Sequence, residues 1–221
     1  MLYDSLVLLH VVLFAYWLGG DLGVYYASRF VSNPDLGREA RKTAAAIMLA
    51  VDLSPRLCMV LILPSGVHLA AVRQQLPLSE LAVAGMWLAA LAWLGLVLAV
   101  HFVHAAPAAR ALQRTDFSLR LAVIAATAGA AVWHVADPGW IRGDWVALKL
   151  LLFAVTVACG LGIRVALRPF GPAFASLMQE GSRPATEGAI QRSLTRARPF
   201  VIAIWVALVL EAALGIFQRP V

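Results

Sequence analysis

The chain has 221 residues, 62% of them hydrophobic and 14% charged, with a formal net charge of +6. Soluble domains average about 45–50% apolar and 25% charged residues. That difference excludes a water-soluble helical domain, whose helices would need a polar face, and leaves an integral membrane protein.

Six apolar runs predict membrane-spanning helices at about 3–29, 43–72, 81–104, 119–137, 144–167 and 199–217, in a single all-α membrane domain covering residues 1–221. The first residues, MLYDS, lack a basic n-region and carry Asp4, so the opening run reads as a span and not a cleaved signal. It contains His10, Asp21 and Arg29. NPDLGREARK, RQQLPLSE and DPGWIRGD supply the Pro, Gly and charged breaks after spans one, two and four. Residues 168–198 read as one long polar loop with a short amphipathic helix around 186–197. Cys58 and Cys159 lie inside spans as small buried apolar residues, and there is no CxxCH for covalent haem attachment.

Charge follows the loops. Arg29, Arg38, Arg41 and Lys42 flank the first connection; Arg110, Arg114 and Arg120 follow span three. Arg164, Arg168, Arg183, Arg192, Arg196 and Arg198 follow span five, whereas the opposite side carries only Arg73, Arg142 and Arg219. The positive-inside rule then places both termini in the periplasm of a bacterial inner membrane. The basic charge is a topology signal with affinity for anionic lipid, not a nucleic-acid footprint.

Ionisable residues within spans are costly and normally face a partner in the bundle. At 1.5 Å per residue, His10, His68, His134 and Lys149 all fall in the outer half of the bilayer. If they converge, the three imidazoles could hold a metal. Haem b is favoured over a bare ion because carboxylate and thiolate co-ligands are missing at that depth. Gly66 and Gly129 offer room for a macrocycle, and copper is the alternative metal. Deeper lie Asp21, Asp52 and Arg56; DLSPR puts the last two on one helical face, with Pro55 expected to kink the span. This cluster reads as a structural ion pair, a proton path or an anchor for a substrate carboxylate. HFVH, residues 101–104, places two histidines on one face at a span end, and Glu211 is a candidate partner for Lys149.

HVVLFAYWLGG with Arg29, SPRLCMVLILPSGVHL, GDWVALKLLLF and RARPFVIAIWVAL together resemble the helices of the HemJ-type membrane proteins. That resemblance implies a haem-b-binding oxidoreductase of the protoporphyrinogen IX oxidase kind, in which His10 and Lys149 are needed for activity. His10 would be an axial ligand, His68 or His134 the second, and Lys149 a propionate partner or proton donor. A porphyrin and a quinone would be its partners, in a homo-oligomer or a larger membrane complex. The "LH…W-x-GG" opening is also similar to CopD-like membrane domains, which implies a metal or small-molecule transporter as the alternative; a non-catalytic accessory subunit is a further one. The chain departs from the HemJ pattern where helices three and four are inserted. It also has Val31 and Ser32 in place of a Tyr-His pair, and AVTVACGLG lacks the second histidine of the lysine helix.

Overall fold

A computed structural model describes residues 1–103 and 105–218. Eight helices follow in chain order: α1 (Leu2–Val31), α2 (Arg38–Val51), α3 (Leu53–Val72), α4 (Glu80–Phe102), α5 (Ala106–Ala136), α6 (Asp144–Ala166), α7 (Phe170–Glu180) and α8 (Pro184–Ile216). There is no strand among the described residues. Six segments are long and apolar enough to cross a membrane, with α2 and α3 joined in one and α6 and α7 in another. The protein is an all-helical, multi-pass membrane bundle.

Local chemistry sets the helix ends. Ser79 caps α4 by accepting the Ala82 backbone N–H at 3.2 Å. Pro107 and Pro184 begin α5 and α8, where a missing N–H costs no helical bond. Gly143, just before α6, has φ of 133°, a conformation that side-chain-bearing residues rarely adopt.

The spans pack in a closed circuit: α1 on α3, α3 on α4, α4 on α5, α5 on α6, α6 on α8 and α8 back on α1. The main core lies between them, built from Leu13 and Trp17 of α1, Val60 of α3, Trp93 of α4, Val157 of α6 and Leu208 of α8. Apolar side chains also cover the outside, Leu81, Leu88 and Val135 among them. In water such a surface would aggregate; in a bilayer it faces lipid tails of equal polarity.

Three boundaries differ from the sequence-based reading. The stretch expected as a loop before residue 119 is helical from Ala106, so Arg110, Arg114 and Arg120 project from α5. Residues 168–198 are not a long loop: α7 occupies 170–180, and the amphipathic stretch is continuous with the last span in the 33-residue α8. The helix after the first loop begins at Arg38, ahead of the expected 43. The break in span two falls at Asp52, between α2 and α3 and in the turn before Pro55, as the proline predicts. Pro55 itself lies in the first turn of α3.

Pro55 also sets how closely α1 approaches. A Cβ on Gly20 would lie 2.7 Å from Pro55 Cδ, and the rigid ring cannot swing away. Gly19, next in sequence, faces open space. Gly20→Ala is expected to lower stability in detergent by about 1–3 kcal/mol through overpacking. Gly19→Ala should leave the unfolding midpoint unchanged, which a paired thermal-unfolding measurement checks.

Candidate functional site

His10 leaves α1 towards α3, where its Nδ1 lies 2.8 Å from Ser65 Oγ. Ser65 is fully buried, and its hydroxyl donates to the Ile62 carbonyl at 2.9 Å. A serine hydroxyl has a single proton. With that proton on the Ile62 carbonyl, the His10 ring donates from Nδ1 and its Nε2 carries the free lone pair; with it on His10 Nδ1, the roles reverse. The Cε1 corner of the ring lies against Gly66, where a Cβ would come within 3.0 Å of it. The space expected for a macrocycle beside Gly66 is therefore occupied by the imidazole itself.

Lys149 approaches from α6. Its Nζ stands 5.3 Å from the centre of the Trp145 ring, a cation–π contact. On the other side it rests on Gly215, where a Cβ would be 2.7 Å away. The ammonium is within electrostatic reach of His10 and of Glu211. Glu211 Oε1, on α8, is buried without a hydrogen-bond partner. Four helices thus bring a histidine, a serine, a lysine and a glutamate into one polar region; Glu211 lies within electrostatic reach of Lys149 but forms no ion pair with it.

The other two histidines are placed elsewhere. His68 Nδ1 accepts the Trp87 indole N–H at 3.2 Å, across the α3–α4 contact. The indole only donates, so the neutral His68 ring keeps its proton on Nε2 and has no free lone pair. His134 Nε2 lies 2.9 Å from Asp144 Oδ1, across the α5–α6 contact, and its buried Nδ1 lacks a partner. His134 and Asp144 border a cavity of about 410 Å³. A Cβ added at Gly129 would meet nothing within 4 Å, so the space there is open. The three imidazoles therefore sit at three different helix–helix contacts. Among the described residues no group of three or more His, Cys, Asp or Glu could hold a metal ion. Of the HFVH pair, His101 packs edge-on against Phe102 at 4.8 Å, and His104 lies outside the described residues.

At the basic end of the bundle, Arg56 pairs with Asp52 one turn away, as the DLSPR spacing predicts. Asp21 comes within electrostatic reach of Asp52. All three border a cavity of about 920 Å³.

Two polar groupings went unread in the sequence. Asp116, fully buried on α5, accepts from Arg120 Nε at 3.0 Å, from Arg164 Nη1 of α6 at 2.7 Å and from Trp93 Nε1 of α4 at 3.0 Å. Arg41, 1% exposed, binds Glu187 of α8 with both terminal nitrogens and donates its Nε to the Val31 carbonyl at the end of α1. The signal for the first was the Asp116–Arg120 spacing of four, visible once the Ala-Pro start of α5 is read as a helix start. Nothing local marks the second, because Arg41 and Glu187 meet only through the fold.

Asp116→Asn would leave two guanidinium groups sharing a neutral amide. Breaking a buried ion pair from one side costs about 3–5 kcal/mol, so the variant should unfold far below wild type. Asp4→Asn, at an exposed terminal pair, should not shift the midpoint in the same thermal assay.

Comparison with protein families, with curated proteins and with solved structures finds no match for this chain.

Proposed function

We propose that the chain is a multi-pass inner-membrane protein that binds b-type haem through His10 and serves a redox reaction. The observation that supports this reading is the 2.8 Å contact of His10 Nδ1 with the buried Ser65 Oγ: where Ser65 accepts there, Nε2 is left as a lone-pair donor. Ligating histidines are commonly held in this way, by a hydrogen bond from the ring nitrogen away from the metal.

The donor set suits haem better than a bare ion. Haem needs only a proximal imidazole from the protein, whereas copper or zinc recruits several nitrogen or sulfur ligands. His68 has committed its lone pair to Trp87. His134, with Nε2 on the Asp144 carboxylate, keeps an Nδ1 lone pair, but it sits at the α5–α6 contact and not beside His10, so a second histidine ligand is not part of the reading.

Bound haem would supply reversible one-electron chemistry in a low-dielectric setting. The chain's own residues have separate tasks. Ser65 fixes the orientation of the His10 ring. Lys149 brings a positive charge suited to a propionate carboxylate, and the buried Glu211 carboxyl within its reach can hold or release a proton. The resemblance to HemJ-type proteins extends the reading to a porphyrin substrate and a quinone acceptor, with His10 and Lys149 as the residues on which turnover depends. Both termini would face the periplasm.

A reduced-minus-oxidised spectrum of the purified protein should show Soret and alpha bands. His10→Ala should abolish them, and Ser65→Ala should weaken haem affinity by about 10- to 100-fold. His68→Ala and His134→Ala should leave the bands in place. A folded wild-type protein without a Soret band overturns the proposal, and bands that persist in His10→Ala overturn the ligand assignment.

A further inference from the structure

The cavity at the basic end differs in character from the His10 region. Six arginines border it: Arg56 from α3, Arg110 and Arg114 from α5, Arg164 at the end of α6, Arg168 beyond it, and Arg198 from α8. Asp21 and Asp52 are its only carboxylates. Asp52 is committed to Arg56, and Arg164 is held by Asp116 from behind. Among the described residues no carboxylate forms an ion pair with Arg114, Arg168 or Arg198. The guanidinium groups thus outnumber the carboxylates in a space large enough for a ligand.

The remaining wall is apolar. Val24 of α1, Leu49 of α2, Phe117 of α5, Phe170 of α7 and Val201 of α8 contribute to it. A charged rim on an apolar wall selects an amphiphile over a small ion. Guanidinium forks match the planar or tetrahedral oxygens of carboxylate and phosphate. Basic pockets between transmembrane helices are a recognised way to hold lipid head groups.

We propose that this cavity binds an oxyanion head group, a phosphate ester carried on an apolar body, with Arg114, Arg168 and Arg198 as its principal contacts. Arg164 is held towards the same space by Asp116. Arg56 stays with Asp52 and sets the edge of the site. The same head-group chemistry could come from a membrane lipid or from a soluble phosphate compound. The site does not depend on haem at His10.

The test uses the full-length protein in detergent, titrated calorimetrically with short-chain phosphatidic acid and, separately, with inorganic phosphate. Saturable binding of phosphatidic acid, weakened tenfold or more in R168Q/R198Q, is the expected result. The matched control is R192Q/R196Q, which removes the same charge from neighbouring exposed positions that do not border the cavity; it should retain wild-type affinity. R114Q alone should weaken binding severalfold, and its exposed position leaves folding intact. A large preference for phosphatidic acid over inorganic phosphate supports the amphiphile, and equal affinity for the two overturns it, since the apolar wall would then contribute nothing. Absence of binding to either probe overturns the proposal. So does equal weakening in the cavity and control variants, which would mean diffuse surface charge.

Discussion

One carboxylate ties the helices together at the basic end of this bundle. Asp116 has no exposed surface and serves as acceptor for a tryptophan of α4, an arginine of its own helix and an arginine of α6. Arg120 extends the set to α3 by lying 3.1 Å from Met59 Sδ and to α4 by lying 5.7 Å from the Trp93 ring centre. Between membrane helices, apolar burial gives little net drive because lipid tails are as apolar as leucine. A buried acceptor with directional donors on several helices fixes their rotation and depth. Without it, α4 and α5, which touch each other less than their neighbours do, would have little to set their register.

A second fixed point lies where the chain leaves the apolar layer. Arg41 joins the start of α2, the end of α1 and the first turn of α8 through three hydrogen bonds. Its planar fork satisfies both oxygens of Glu187, a geometry that lysine could not supply. Along α1 and α3, Gly20 lets α1 rest on the Pro55 ring, and Gly66 lets the His10 imidazole lie on the backbone of α3. The position of His10 is thus a product of packing along α1 and α3 as well as of its bond to Ser65.

The number and approximate limits of the spans were legible because hydropathy reports directly on what a bilayer will accept. The starts of α5 and α8 were not, since APAARALQRTD and RPATEGAIQRSLTRAR are polar enough to resemble loops. They are helical because their polar faces meet other parts of the basic end, Arg41 and Asp116 included. Depth could be counted along the chain, and it placed His10, His68, His134 and Lys149 at comparable levels. Rotation about each helix axis could not be counted. It is set by contacts such as Trp87 on His68 and Asp144 on His134, which sent three histidines to three separate interfaces. The Asp52–Arg56 pair was readable because both partners lie on one helix, four residues apart.

The unbroken course of α8 has a geometric consequence. Its 33 residues span about 50 Å at 1.5 Å per residue, against a hydrocarbon layer of about 30 Å. The stretch from Pro199 to Ile216 is by itself close to that thickness, so the first half of the helix stands in the head-group and aqueous zones. Pro199 then falls near the boundary between them, where the carbonyl that it leaves without an amide partner can be hydrated. By that count the proline of this long rod falls near the membrane surface, and the section after it, which carries Glu211, is an uninterrupted helix of about bilayer length.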